Sequence, residues 1–594
     1  MTRLWNDPAD FADEATAGFV AANGRYVRAV AGGVVRNSAS PTGEVAVVIG
    51  GGSGHYPAFA GLVGTGLAHG AAMGNLFASP SAQQVLSVAK AAENGGGVLL
   101  TYGNYAGDVL NFGAAQEQLR TRGIRCETVT VTDDVMSAPR GSEHQRRGIA
   151  GDLVVFRIAA AAAGTGHDLD VVAHLARRAN ARTRSVGVAF SGCALPGADT
   201  ALFDVPEGRM AVGLGIHGEP GIAEAPMPSA DELARLLVTH LLQELPDAVG
   251  RGSTVVPILN GLGSLKYEEL FVVYRRIDEL LREAGFGIDD PYVGEYCTSF
   301  DMAGCSLTLF WPDDELARLW DSPADAPAYR KGASIRAAAA PASVAPTADD
   351  QPEEQPATTV AATTTTEPAI ADELSRAAAV TVRAALDAIA ITVDAHVDEL
   401  GRLDAIAGDG DHGIGMQRGA HAALAAGAAS AASGAGAGTV LEQAADAWSD
   451  KAGGTSGALW GVMLARLAVA LGDTRLPCPR DVAAGVAAAT AGVMSYGKAA
   501  LGDKTMVDAL EPFSAELTSA VDEGRTLAAA WRSAAEVATT AAASTADLLP
   551  RKGRARPHGE KSLGVPDPGA HSFALIVSAV AGVLESSDEG NHHG

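Results

Sequence analysis

Hydrophobic and polar residues alternate in two different ways along the 594-residue chain. In the first half, short runs of β-branched and aliphatic residues are separated by longer helical stretches, and several runs end in glycine. The runs that predict strands are 45–50, 97–103, 127–134, 185–190 and 254–259. Such alternation is typical of layered α/β structure, in which sites lie at the ends of strands.

The second half follows a helical period instead. Between Leu374 and Leu400 apolar residues recur every three or four positions, which marks one face of a long amphipathic helix. Alanine-rich runs with few β-branched clusters continue to the end of the chain. The second half is therefore predicted to be an all-helical domain, such as a bundle.

A stretch rich in Ala, Thr, Pro and acidic residues separates the two halves. It runs from about Ala337 to Pro368 without an apolar period, so it cannot bury enough surface to order itself. One core would not extend over the whole chain either, because single cores stop growing near roughly 250 to 300 residues. We predict an α/β domain over 1–333, a linker over 334–369 and a helical domain over 370–594.

Charge and composition exclude several classes of partner. The formal net charge of −26 disfavours binding to nucleic acids and anionic membranes, since both are polyanions. The N-terminal sequence has no basic region followed by an apolar run, and no apolar stretch reaches the roughly 18 residues of a membrane span. The five cysteines show no C-x-x-C spacing and fit reduced thiols. These features predict a cytoplasmic protein that binds neither nucleic acid nor membranes.

Three aspartates lie close together in LDAIAGDGDHGIGM, which spans 403–416. The glycines allow a turn tight enough for the carboxylates of Asp404, Asp409 and Asp411 to converge. Oxygen ligands of this kind suit Mg²⁺, which keeps room for phosphate oxygens and water. An acidic surface turn is the alternative interpretation, and a calcium loop fits less well because its ladder of ligands is absent.

Downstream, GGTSGALWG (453–461) offers consecutive amides and hydroxyls at the start of a helical run, an arrangement that binds phosphates. Alone, this stretch is equally well explained as a contact between small residues of two helices. Beside an Mg²⁺ site, polyphosphate binding becomes the better explanation. The Gly-containing turns within GDKTMVDAL (502–510) and 551–573 fit closure over a nucleotide, although neither is diagnostic by spacing.

Three titratable residues lie in glycine-rich turns of the first half. His55 follows a predicted strand in IGGGSGHYP, Asp108 follows another in NYAGDVLNF, and His217 lies within GLGIHGEPG. Each alone is more simply explained as part of a turn in which the glycines supply positive φ. Together, on three such turns, they predict one pocket for a small polar ligand.

In the order of these motifs the chain resembles single-chain, ATP-dependent dihydroxyacetone kinases, over nearly its whole length outside the linker. The resemblance implies an α/β ketose-binding region of two subdomains, followed by an all-α barrel or bundle that binds ATP and Mg²⁺. It implies that His217 binds the carbonyl carbon of the ketose as a hemiaminal, that His55 polarises or deprotonates a group on it, and that Asp108 takes the proton of the attacking hydroxyl. It also implies a homodimer, with exchange of helical domains between two copies as one form of it.

The resemblance assigns further residues by position. The ketose would lie against Gly52, Ser53, Gly54, Tyr56 and Gly103. The metal would be held by Asp404, Asp409 and Asp411. The nucleotide-contacting positions would be His412, Gly413, Ile414, Gly415, Thr455, Ser456, Gly497, Met506, Arg554, Asp567, Pro568 and Gly569.

Near the ketose pocket the sequence departs from the common family pattern. Tyr56 stands in place of a glutamate, Gly103 in place of a lysine and Asn75 in place of an acidic residue. The lost lysine frees volume and the tyrosine adds a hydroxyl, and a four-carbon ketose such as erythrulose would use both. These departures resemble the erythrulose-kinase branch of the family, which implies that erythrulose ranks slightly ahead of dihydroxyacetone. A pocket difference of this kind is worth about 1 to 3 kcal/mol, so activity on both is expected. The alternatives are FMN cyclase activity at the same ATP site and a ligand-sensing or coactivator role.

Overall fold

The structure is a computed structural model that describes residues 4–198, 201–217, 222–332, 371–406, 410–552 and 562–591. The ranges up to residue 332 form an α/β region, and the later ranges form a helical domain. The whole of the predicted linker, and the predicted site residues Asp409 and Arg554, lie outside the described residues.

The first part of the α/β region is built on a six-stranded sheet. Its strands are β1 (Val27–Val30), β2 (Gly33–Arg36), β3 (Ala46–Ser53), β4 (Gly70–Leu76), β5 (Val98–Gly103) and β6 (Cys126–Val131), in the order β1-β2-β4-β3-β5-β6. The last four strands in that order are parallel. Its helices are α1 (Phe11–Ala22), α2 (Ala82–Ala92), α3 (Ala106–Thr121), α4 (Asp152–Gly164) and α5 (Leu169–Ala181). Because α2 and α3 cover one face of the sheet and α4 and α5 the other, β3 is buried along its full length.

The second part is built on a larger, mostly antiparallel sheet. Its strands are β7 (Thr183–Ala189), β8 (Arg209–Val212), β9 (Ala223–Pro226), β10 (Thr254–Gly261), β11 (Gly287–Ile288), β12 (Tyr292–Gly294) and β13 (Gly304–Phe310). The order is β11-β10-β13-β7-β8-β9, with β12 paired to β10. The helices are α6 (Ala230–Leu242), α7 (Tyr267–Glu283) and α8 (Asp314–Trp320), and a short pair, β14 (Ala324–Asp325) and β15 (Arg330–Lys331), follows. The prediction of two α/β subdomains is thus confirmed.

Eight helices form the described part of the C-terminal domain. They are α9 (Glu373–Ala405), α10 (His412–Ala432), α11 (Ala437–Ala452), α12 (Gly454–Leu471), α13 (Pro479–Gly497), α14 (Val507–Asp522), α15 (Leu527–Ser544) and α16 (Pro568–Asn591). Each packs against the next, and α16 packs back against α9, which closes an all-α barrel as predicted. The barrel encloses an apolar cavity of about 360 Å³. Two stretches of the barrel, α12 and residues 568–586 of α16, are long and apolar enough to cross a membrane by length and composition, which the search for uninterrupted apolar runs did not predict. Both pack against neighbouring helices of the barrel, and core helices of that kind have the same length and composition.

The barrel docks on the α/β region of the same chain through α3. The Gly454 amide donates a hydrogen bond to the Ser79 carbonyl (3.1 Å), and the Tyr496 hydroxyl donates one to the Leu110 carbonyl (2.7 Å). Helices α3 and α12 pack against each other along this contact. The start of α3 therefore lies between the two domains.

Candidate active site

The three titratable residues singled out in the first half lie at the ends of strands. His55 follows the end of β3, and Asp108 lies in the first turn of α3, just after β5. Because β3 and β5 are parallel neighbours, both residues lie at the same edge of the sheet. His217 reaches this edge from the second sheet, in the loop after β8. All three side chains are buried, with exposures of 0%, 5% and 4%.

Aromatic rings fix the orientation of the two imidazoles. The centroids of the His55 and His217 rings are 4.6 Å apart, with the planes almost perpendicular. The Tyr105 ring lies edge-on to His217 at 4.3 Å, and the Phe77 ring stacks on His55 at 5.0 Å. A ring packed in this way has few accessible rotamers, so a reactive nitrogen on His217 is oriented before any ligand binds.

Hydrogen bonds to the segment between β12 and β13 hold both histidines in place. His55 Nδ1 is 2.9 Å from the Thr298 carbonyl oxygen, and the Ser299 hydroxyl donates to the carbonyl of Ile216, next to His217, at 2.7 Å. Asn260 on β10 ties the same segment down by bonding both backbone groups of Cys297. Sequence reasoning assigned no role to these supporting residues, because their contacts come from another part of the chain.

The predicted ketose-binding glycines lie where no side chain would fit. A Cβ on Gly52 would lie 2.7 Å from a backbone nitrogen, and one on Gly54, whose φ is +104°, would lie 2.8 Å from the Phe77 ring. The Ser53 hydroxyl donates a 2.6 Å hydrogen bond to the Gly74 carbonyl. The turn is therefore held rigidly, with its backbone close to His55.

The structure places Tyr56 and Gly103 differently from what we expected. Tyr56 is 53% exposed, and its ring packs edge-on against Phe19, on the outer side of the turn. A Cβ on Gly103 would lie 3.0 Å from the Tyr105 ring and 3.3 Å from the Gly148 carbonyl oxygen. The volume expected beside Gly103 is therefore already occupied by Tyr105, whose role the sequence did not reveal.

A second cavity, of about 380 Å³, lies between the barrel and α3. The predicted residues that line it are Asp404, Asp411, His412, Gly415, Thr455, Ser456, Gly497, Met506, Asp567, Pro568 and Gly569. Residues Ala106, Val109 and Leu110 of α3 line its other side. Of the two remaining described nucleotide candidates, Gly413 packs against the Val397 carbonyl of α9 and Ile414 is exposed. The helix that carries Asp108 therefore also forms one side of this cavity.

The start of α12 lines the cavity. Gly453 and Gly454, with φ of +62° and +60°, separate α11 from α12 and allow the chain to turn sharply. Next to this turn, Ser456 Oγ lies 3.2 Å from His412 Nδ1, and Ser572 Oγ lies 2.9 Å from His412 Nε2. Burial lowers the pKa of His412. A helix N-terminus with adjacent hydroxyls is suited to binding phosphate groups.

Three carboxyl groups face the same cavity. Burial, with the charge of Asp404 adding to it, raises the pKa of Asp411 to about 7. Burial also raises the pKa of Asp567 to about 7, again with a contribution from Asp404. Carboxylates that repel each other in a buried site are the ligand set that a divalent cation stabilises. Asp404 and Asp411 therefore fit the predicted metal site.

Lys504 also lines the nucleotide-side cavity, and sequence reasoning did not single it out. It is buried, with a φ of +58°, and its ammonium group donates to the Ser562 carbonyl oxygen at 2.6 Å. Burial lowers its pKa. One sequence signal could have identified it, since Lys504 is the only cationic residue in the GDKTMVDAL motif. A cation here is suited to neutralising part of a polyphosphate charge.

Comparison with known proteins gives matches to both halves. The Dak1 domain family matches residues 17–328, and the DAK2 domain family matches residues 406–582. An L-erythrulose kinase of Pectobacterium atrosepticum is 58% identical over 99% of this chain and 97% of its own length. A D-erythrulose kinase of Mycolicibacterium smegmatis is 52% identical over 100% of both chains. The crystal structure of a dihydroxyacetone kinase from C. freundii with AMP-PNP and Mg²⁺ is similar with a TM-score of 0.51 and 27% identity, covering 98% of this chain and 99% of that one.

Proposed function

Because this chain belongs to the dihydroxyacetone kinase family, with a Dak1 domain joined to a DAK2 domain, we propose that it transfers the γ-phosphate of ATP to a terminal hydroxyl of a short ketose. One observation carries the proposal. The helix that bears Asp108 in its first turn also lines the cavity that contains Asp404 and Asp411. A substrate hydroxyl beside Asp108 would therefore face a nucleotide held by the barrel.

The first step is covalent capture of the ketose by His217. A ring nitrogen of the neutral imidazole adds to the carbonyl carbon, and the imidazole N–H proton is transferred, in net terms, to the carbonyl oxygen. The product is a hemiaminal with one new C–N bond and one new hydroxyl group. Fixing a small sugar in this way replaces a loosely held reactant by an oriented one, which is worth up to about 7 to 11 kcal/mol. It also selects carbonyl compounds over polyols.

The second step is phosphoryl transfer. Asp108 takes the proton from the terminal hydroxyl, the oxygen attacks the γ-phosphorus, and ADP leaves with the bridging oxygen. General-base assistance contributes about 10² to 10⁴ in rate. His55, fixed against Thr298, polarises the oxygen that the hemiaminal carries. Alignment of the reactants and neutralisation of the phosphate charge lower the remaining activation barrier, because phosphoryl transfer depends mainly on these two effects.

Magnesium is the metal that the carboxylates fit. Asp404 and Asp411, with Asp409 as the third predicted ligand, would hold it. A bound Mg²⁺ would supply positive charge that offsets the charge of the phosphates. The chain's own contribution to the nucleotide is the amide-rich start of α12, which with Thr455 and Ser456 binds phosphate oxygens.

Erythrulose is the ketose that we rank first. The two curated relatives reported above are named as erythrulose kinases, one for each enantiomer, so stereochemical preference does not follow from identity. Dihydroxyacetone ranks second, as a shorter substrate of the same pocket. The contribution of Tyr56 and Gly103 to this choice stays a proposal, as do the remaining contacts predicted for the ketose and nucleotide.

We further propose a cytoplasmic homodimer. The cytoplasmic location is supported by free thiols at all five cysteines. The docking seen within one chain requires no second copy to complete the site, and exchange of barrels between two copies would form the same contacts.

A panel of initial rates tests the function. Purified protein with Mg²⁺ and ATP is given D-erythrulose, L-erythrulose, dihydroxyacetone and glycerol, and ADP release is followed. We expect turnover with at least one erythrulose enantiomer, less with dihydroxyacetone and none with glycerol. Absence of ADP release with every ketose would overturn the proposal. FMN release from FAD with a divalent metal would then support the cyclase alternative, and ketose binding without turnover would support a sensor.

A further inference from the structure

One buried carboxyl group beside the ketose site has no part in the mechanism above. Asp152 is the first residue of α4 and is 1% exposed. Neither of its carboxyl oxygens has a hydrogen-bond partner among the residues that the structure describes. A buried polar group without a partner loses its hydration without replacement, and native structures contain few of them. A ligand is one explanation for such a group.

Helix capping does not explain this aspartate. An acidic residue at the start of a helix normally accepts hydrogen bonds from the first backbone amides. The N-cap of α4 is Gly151, no side chain caps the helix, and the Asp152 carboxyl bonds none of the described amides. Asp152 therefore lies at the start of α4, where acidic residues often cap a helix, but its carboxyl group does not cap this one.

The neighbouring loop does not need Asp152 either. A different buried carboxylate, Asp133, already accepts the amides of Ile149 (2.9 Å) and Gly151 (2.8 Å). These two bonds hold the turn that leads into α4. Asp133 is the structural acid of this turn, and Asp152 is a second carboxyl group that has no hydrogen-bond partner in the part of the chain that the structure describes.

The Asp152 carboxyl lies close to Gly148 and Gly103, two residues that also lie against Tyr105. Its Oδ1 is 2.9 Å from the point that a Cβ on Gly148 would occupy, and the Gly103 Cα is 2.6 Å from the same point. The Gly148 carbonyl accepts a 2.8 Å hydrogen bond from the Tyr105 hydroxyl. The Tyr105 ring in turn contacts the ring of His217. Gly148 and Tyr105 therefore lie between the Asp152 carboxyl group and His217.

The chemistry of Asp152 suits a hydroxyl ligand. Burial, with the charges of Asp133 and Asp108 adding to it, raises the pKa of Asp152 well above its usual range. A neutral carboxyl group both donates and accepts a hydrogen bond, which is what an uncharged sugar hydroxyl requires.

Building on the proposed ketose kinase function, we propose that Asp152 is a specificity-determining residue whose carboxyl group pairs with the hydroxyl that a four-carbon ketose has and dihydroxyacetone lacks. The carbonyl carbon of either substrate is fixed at His217, so the extra CHOH group must extend towards a wall of the site. Tyr105 fills the space beside Gly103, so on this proposal its ring shifts when the CHOH group binds. Dihydroxyacetone does not reach so far and leaves Asp152 unpaired.

Three variants test this role. Asp152→Leu removes the hydrogen-bonding group at similar volume, Asp152→Ser shortens it, and Asp152→Asn keeps a neutral donor and acceptor. We expect kcat/KM for the preferred erythrulose enantiomer to fall about 10- to 100-fold in the Leu and Ser variants. For dihydroxyacetone it should change less than about threefold, and Asp152→Asn should keep both within about threefold. The melting temperature of Asp152→Leu should not fall, because an unpaired buried polar group has been removed.

The outcomes separate this inference from the function on which it rests. An equal loss for both substrates, or an unchanged erythrulose-to-dihydroxyacetone ratio in both the Leu and the Ser variants, would overturn the role of Asp152 while leaving the kinase intact. If Asp152→Leu fails to fold, the Ser and Asn variants decide by the same ratio. If the unmodified protein phosphorylates no ketose at all, the proposed function fails and this inference fails with it.

Discussion

Replacement of Gly107 by valine should slow catalysis by pushing the two domains apart. Gly107 lies on α3, and a Cβ there would be 3.1 Å from the Ser79 Cβ and 3.3 Å from the backbone nitrogen of Thr455 in the barrel. The methyl groups of valine extend beyond that point, so the barrel must withdraw by about 1 Å or more. A misplacement of about 1 Å costs about 100-fold in a reaction that depends on alignment. We therefore expect turnover in Gly107→Val to fall by about 100-fold.

The chain offers a matched control on the same helix. A Cβ on Gly113 would have no atom within 4 Å, so Gly113→Val makes the same chemical change in open space and should stay within about threefold of the unmodified protein. ADP release measures turnover, intact mass after ketose addition measures capture at His217, and calorimetry measures ATP binding. Capture and ATP binding should survive in Gly107→Val. Equal turnover in the two variants, or loss of capture in Gly107→Val, would refute the docking explanation.

Further expectations concern the base, the metal and the chain that supplies the barrel. Asp108→Asn should lower turnover by about 10² to 10⁴ while His217 still captures the ketose, as judged by intact mass. Since the pKa of Asp411 is raised to about 7, its carboxyl group must lose a proton to bind metal, and calorimetry should show Mg²⁺ binding that is about tenfold weaker at pH 6 than at pH 8. An equal mixture of His217→Ala and Asp411→Ala chains should stay inactive if each barrel serves its own chain; recovered activity would show exchange between copies.

The sequence was sufficient to predict the fold class. Apolar runs such as 45–50 and 97–103 overlap β3 and β5, and the apolar face between Leu374 and Leu400 lies within α9. These elements are predictable because the periodicity of burial is local. Whether β3 and β5 are neighbours is not local, but the Gly-rich turns after both strands indicated a shared edge.

What surrounds the site was beyond prediction from the sequence. Tyr105 packs on His217 and fills the space beside Gly103, which depends on how two sheets meet rather than on any spacing along the chain. The same holds for Asp152, which a helical pattern alone identifies as an ordinary helix start. Which side chain fills a space, and which buried polar group lacks a partner, depends on contacts between segments that are distant in the sequence.

The central claim is that His217 holds the ketose through its carbonyl carbon during phosphoryl transfer. Carbon-13 NMR of erythrulose labelled at the carbonyl carbon tests it most directly, with the protein in excess and no nucleotide present. We predict that the label moves from the carbonyl region to that of a tetrahedral carbon bonded to nitrogen and oxygen, and that it stays in the carbonyl region with His217→Ala. An unshifted label in the unmodified protein, or a shift that persists in His217→Ala, would contradict the account.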